Sequence, residues 1–187
     1  MRILKFILIG ATFALTACTT PPELYPVTPP KATQTQRIAF QMLEVRKVSL
    51  PTYASATEIS LQNAEGRLVS SSGVQWADSP ERAIALELAL HLGTLSGAKV
   101  ASEPWPLEAF PDARLDVRFE SLIARADGQF RTTGQYFVSV ADGGRERSGM
   151  FDLSVPFDPE AGPRAIVVAR GQVILDLALY IARNGLR

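Results

Sequence analysis

Cysteine and histidine are almost missing from this sequence of 187 residues, which holds only Cys18 and His91. A single cysteine excludes an internal disulfide. One Cys and one His are too few for the nitrogen and sulfur ligand sets that hold zinc. A carboxylate calcium loop would need Asp or Asn at fixed short spacing, and no such run is present. A Ser-His-Asp hydrolase would have to take His91 as its base, and no GxSxG elbow accompanies it. There is no glycine-rich phosphate loop of the Walker type. An excess charge of either sign is lacking too, since basic and acidic side chains both number 19. The chain therefore has no basic stripe for nucleic acid and no polybasic segment for anionic lipid heads. Beyond the N-terminus no second long apolar run stands out, which excludes a permease. The expectation is a protein without enzymatic activity and without a cofactor.

What is present begins at the N-terminus. Arg2 and Lys5 precede an apolar run from Phe6 to Ala14, and Leu15-Thr16-Ala17-Cys18 follows. A basic start, an apolar middle and small residues before a cleavage point describe a secretory signal peptide. The run is shorter than the about 20 apolar residues that a membrane span needs. Cysteine directly after Leu-Thr-Ala makes this a bacterial lipobox. Cleavage leaves Cys18 first, with a diacylglycerol on its sulfur and an acyl group on its amine. Two or three acyl chains suffice for stable anchoring, at about 0.8 kcal/mol per buried CH₂. Thr19 is not the aspartate that retains lipoproteins at the inner membrane, which points to the periplasmic face of the outer membrane. The mature chain keeps 170 residues, with 17 basic against 19 acidic side chains. That suits one domain of ordinary size.

The expected organisation is a signal peptide over 1–17, a Pro/Thr-rich tether over 18–37 and one domain over 38–187. The stretch TTPPELYPVTPPKATQTQ has no apolar periodicity. As extended polyproline II, at about 3.1 Å per residue, it would reach on the order of 50 Å. From Ile38 an imperfect alternation through Phe40, Met42, Val45 and Val48 predicts a strand that Pro51 ends. Further strands are predicted over Glu58–Gln62, Arg67–Val69 and Val74–Trp76. Asp78-Ser79-Pro80-Glu81 predicts a helix start, with either Ser79 or Asp78 as its cap. The helix runs to about Ser96 with Ile84, Leu88, Leu92 and Leu95 on one face, widened by Leu86 and Leu90. Glu87 and His91 fall on its polar side, as a solvent-facing pair. After a short strand at Lys99–Ser102 and a Pro-rich loop, three strands form a meander turned at Asp127-Gly128 and Asp142-Gly143-Gly144. A last helix over Ile166–Arg183 buries Val167, Ile174, Ala178 and Ile181 and ends on Asn184-Gly185 as a left-handed cap. Gly171 inside it marks a close packing contact. The fold class is α+β: two layers, a mixed and mostly antiparallel sheet, with two main helices packed on it.

Two aromatic residues are candidate partner-binding anchors, because interface energy concentrates in a few such side chains. Tyr53 follows Leu50-Pro51, and Trp105 sits between prolines in a loop. Trp76 is instead expected to end a strand and pack under the first helix.

Several segments together resemble the ABC-type transport auxiliary lipoproteins, the PqiC-like family. They are the lipobox and tether, Leu50-Pro51-Thr52-Tyr53, Gln75-Trp76-Ala77-Asp78-Ser79-Pro80, and the last helix with Val168-Ala169 and Ile181-Ala182. The sequence departs from the family pattern at Ala54-Ser55-Ala56, at the inserted Ser79 and at Tyr180. The resemblance implies a non-catalytic subunit of an envelope lipid-trafficking machine. It would dock on an MCE-domain periplasmic protein whose other partners are a permease and an ATPase, and it could assemble with copies of itself. An outer-membrane scaffold or assembly lipoprotein unrelated to lipid transport is the alternative.

Overall fold

The computed structural model of the chain describes residues 21–187. The signal segment and Cys18 lie outside the described residues. The elements in order are β1 (Glu23–Tyr25), β2 (Met42–Val45), α1 (Thr52–Ser55), β3 (Glu58–Gln62), β4 (Leu68–Trp76), α2 (Pro80–Ser96), β5 (Lys99–Ser102), β6 (Ala113–Arg125), β7 (Gln129–Val140), β8 (Arg147–Pro156) and α3 (Pro163–Asn184).

β6 is the spine of one curled sheet. Its start pairs with β2 in parallel, its end pairs with β3 in parallel, and its other edge pairs with β7 along nearly its whole length. β7 and β8 complete the antiparallel meander, while β4 and β1 extend the sheet beyond β3, and β5 lies beyond β2. The long ladders are antiparallel and the short ones mostly parallel.

The strand alternation explains which face is buried, and where it changes phase. Ala113, Leu115, Val117 and Phe119 point inward, and then Leu122 and Ala124 do. The switch from odd to even positions coincides with a register shift between Phe119 and Ser121. One extra residue at a bulge re-aims every later side chain and bends the strand. Gly134 faces this irregularity. A side chain there would run into the Arg118 carbonyl and the Phe151 ring.

α2 and α3 pack against each other on the inner face, α2 over β2 and β5, α3 over β7 and β8. Pro80 opens α2 at a position where its missing N–H is no loss, and Gly97 closes it with φ of 72°. Ser79 occupies the cap position, but its hydroxyl caps nothing. Asp78 instead accepts from the Ser79 N–H at 2.8 Å. α3 is long and apolar enough to cross a membrane by length and composition. It is the core helix instead: Val173, Ile174, Leu177, Ala178, Ile181 and Ala182 are fully buried.

Four expectations are corrected. The stretch read as a free tether is docked from residue 23 onward. Tyr25 pairs with Trp76 in a parallel ladder, and the Gln36 N–H donates to the Leu95 carbonyl at 2.7 Å. The aperiodic Pro-rich sequence hid this, because a strap held by edge pairing and scattered contacts needs no apolar period. Gly171 is the physical partner of that strap: an added Cβ would stand 3.2 Å from Val27. In α2, Leu86 and Leu90 are exposed, whereas Glu87 and His91 are buried at 5% and 1% exposure. The helix is covered by the sheet on one side and α3 on another, so its dry face is turned from the one the leucines suggest. In β2, Leu43 and Val45 are buried and Met42 is only half-buried. Finally, Gly185 is right-handed, with φ of −106°. The chain turns there to bury Leu186, whose carbonyl accepts from the Ala39 N–H at 2.7 Å.

Candidate functional site

The largest departure from a plain hydrophobic core lies between α2 and α3. Arg170 of α3 and Glu87 of α2 form an ion pair at 2.6 Å, with side chains only 3% and 6% exposed. Burial holds the Glu87 carboxyl above its ordinary range, and the attraction of Arg170 offsets only part of that. The same desolvation pulls Arg170 below the usual arginine value despite Glu87 and Asp78. Only one bond is made across the pair. Glu87 Oε2 and Arg170 Nη2 are both buried without a hydrogen-bond partner. A buried ionised group normally finds partners for all its capacity, so these two atoms mark a polar spot of unmet demand. His91, one turn along α2 from Glu87, also has a buried Nε2 without a partner. Desolvation lowers its pKa, which favours the neutral ring.

This pair borders a cleft of about 390 Å³. Tyr25 and Val27 of the N-terminal strap form one wall, Trp76 at the end of β4 a second, and Ala83 and Leu86 of α2 a third. The Arg170 guanidinium lies 5.5 Å from the centre of the Trp76 ring. Such a contact is favourable between a cation and an aromatic face. Trp76 thus ends its strand, as expected, and shares the cleft lining with Pro80 at the start of α2. Its ring also screens a buried charge, which the sequence reading did not foresee. A signal for that charge was present. Arg170 stands four residues after Ile166 and four before Ile174, inside the buried stripe of α3.

The two aromatic candidates are not brought together. Tyr53 lies in α1, half-buried, and its hydroxyl accepts from the Leu122 N–H at 3.4 Å. It lines a small cavity on the other side of Trp76, Pro80 and Arg170. Trp105 lies in the loop after β5, with its indole N–H donating to the Ala109 carbonyl at 2.6 Å. Leu107 and Phe110 of the same loop are exposed at 43% and 82%. Among the described residues no three His, Cys, Asp or Glu side chains converge as metal ligands would.

The chain matches the family of ABC-type transport auxiliary lipoprotein components over residues 23–182, and it belongs to that family. Family membership associates it with an ABC transporter and with the cell envelope. Solved structures that resemble it include two of similar length. One is an uncharacterized protein at 19% identity and a TM-score of 0.69, covering 88% of this chain and 98% of that one. The other is XCC0632 from Xanthomonas campestris, of the family DUF330, at 18% identity and a TM-score of 0.61, covering 86% of this chain and 95% of that one. Likeness at this identity shows the fold. No curated protein matches the chain.

Proposed function

We propose that this protein is a non-catalytic, lipid-anchored periplasmic subunit of an MCE-type ABC lipid-transport system, held to the outer membrane by an acylated Cys18. The observation that carries the reading is the family match, which spans residues 23–182 and so takes in the whole sheet and most of α3. The near-neutral charge supports docking through a specific surface rather than through a charged patch. Tyr53 and Trp105 are the proposed anchors of that surface, whose partner is the MCE component or a second copy of this chain. The exposed Leu107 and Phe110 beside Trp105 support the loop after β5 as one part of it.

The test is co-purification from detergent-solubilised envelopes, with the intact mass of the extracted protein measured alongside. The expected result is an MCE-domain protein in the eluate and a chain that starts at a triacylated Cys18. A chain that retrieves no MCE protein overturns the transport reading. An unmodified Cys18, or a different N-terminus, overturns the anchor.

A further inference from the structure

We propose that the cleft beside Arg170 seats the headgroup of a phospholipid drawn from the membrane that holds Cys18. The inference rests on the anchoring proposed above and not on the identity of the docking partner.

Three observations combine. The first is the pair of unpartnered atoms. Arg170 Nη2 is a buried donor and Glu87 Oε2 a buried acceptor, and both residues line the same cleft. A ligand that meets both demands offers an acceptor and a donor within one small group. A phosphate next to an ammonium or hydroxyl does so: the phosphate oxygen accepts from Arg170, and the ammonium or hydroxyl donates to Glu87.

The second is the wall chemistry. Around this charged floor stand Tyr25, Val27, Trp76 and Leu86, and exposed Leu90 lies one turn of α2 beyond Leu86. An amphiphile, with a polar head and an apolar body, matches a charged floor that opens onto apolar walls. A volume of about 390 Å³ falls within the span of small-molecule sites. It suits a headgroup and glycerol, with the acyl chains passing over Leu86 toward solvent or bilayer.

The third is where the chain leads. Tyr25 is both a wall of the cleft and part of a docked strand. Only six residues, seven Cα–Cα steps, separate it from Cys18. Even fully extended, they hold the cleft within about 25 Å of the anchored cysteine. Had residues 18–37 been a free tether, the domain could have stood twice as far away. The strap instead keeps the cleft near the headgroup layer, and a leaflet is the nearest source of a ligand with this chemistry.

The experiment uses the mature lipidated protein in detergent micelles, titrated with dioleoyl phosphatidylethanolamine and, separately, with dioleoylglycerol. Native mass spectrometry separates a dissociable lipid from the covalent one at Cys18. The expected result is one dissociable phosphatidylethanolamine per chain and no retained dioleoylglycerol. Ala83→Trp fills the cleft and leaves the ion pair intact, and it should lower occupancy at least tenfold. The double variant Glu87→Met/Arg170→Met removes both charges together and should do the same, with thermal melting confirming the fold of each. A wild-type chain that takes up no phospholipid overturns the proposal, as does full occupancy in folded Ala83→Trp. Loss in Ala83→Trp with retention in the folded double variant, or equal uptake of dioleoylglycerol, overturns the assignment of the headgroup to Arg170 and Glu87. None of these outcomes depends on whether an MCE protein is retrieved.

Discussion

Arg170→Met should be among the most destabilising single changes in this protein, while Glu87→Met/Arg170→Met together should be close to neutral. The reasoning starts from geometry. The two side chains meet at 2.6 Å, nearly out of contact with water, and no other polar group joins them. Removing only the arginine leaves the Glu87 carboxylate buried without its one partner. That situation costs about 3–5 kcal/mol. Part of the penalty is relieved by protonation, since burial already holds Glu87 above the ordinary carboxylate range. Removing both charges abolishes the desolvation penalty along with the attraction. The two unbranched thioether chains then fill similar volume beside Trp76, and such replacements are often neutral or stabilising. For a domain of this size about 4 kcal/mol corresponds to a fall in Tm of roughly 8–16 °C. Urea unfolding of the mature chain carrying Cys18→Ser, across wild type, both singles and the double, gives the coupling energy directly. A single-mutant loss below about 1 kcal/mol, or a double variant as weak as the singles, would refute the reasoning. Either result would mean that water reaches the pair or that the surroundings relax around a lone charge.

Three further outcomes are expected. His91 is buried with its pKa lowered by desolvation, so the unfolded chain binds the proton first as pH falls. The His91 contribution to stability should be full above about pH 6.5 and decline below it by at most about 1.4 kcal/mol per pH unit, against the opposite trend of Glu87. Urea melts from pH 7.5 to 5 should show that slope, and His91→Leu should flatten it. Gly134→Ala should lower stability by about 2 kcal/mol or more in the same assay, because a Cβ there meets the Arg118 backbone and the Phe151 ring. An effect under about 0.5 kcal/mol would show that the β6–β7 ladder yields easily at its bulge. Tyr53→Ala or Trp105→Ala should weaken binding to the proposed MCE partner by about 2 kcal/mol, roughly thirtyfold, as read by titration of purified components. Unchanged affinity in both would discard these anchors and leave the docking role standing.

The fold was legible wherever local chemistry and burial agree. The start of α2 at Pro80 and its end at Gly97 came from punctuation residues that act within one turn. β3 over Glu58–Gln62 and the β6–β7–β8 meander came from alternation and turn signals. What stayed hidden depends on partners distant in sequence. Leu122 broke the alternation of β6 for a reason visible only in the ladder, where β6 slips by one residue against β7. Glu87 and His91 looked like a solvated pair because helix periodicity ranks faces by hydrophobicity. α3 and the sheet flank α2 on different sides and bury a face that carries charge. Arg170 was the missing half of that observation, 83 residues away from Glu87. Each charge alone reads as surface, and only the pair explains why both are inside.

The N-terminal strap follows the same logic. Pro, Thr and Gln in the stretch from Thr19 to Gln36 describe a chain with too little apolar content to pack by itself. From Glu23 onward it packs because its partners are already built. β4 offers an open edge to Glu23–Tyr25, and α3 offers the notch at Gly171 to Val27. Each contact is small, but they are spaced along one segment and so order it as a unit. A consequence can be checked on Gly171. Gly171→Leu would fill the notch without touching the strap's own sequence, and it should free residues 21–30 while the sheet and helices persist. Hydrogen exchange would show this as faster exchange confined to Leu24, Tyr25, Val27 and Thr28, whose amides flank the displaced contacts. The cleft would lose its Tyr25 and Val27 wall in the same step. A strap that stays protected in Gly171→Leu would mean that edge pairing with β4 holds it alone, and that the helix notch contributes nothing to its docking.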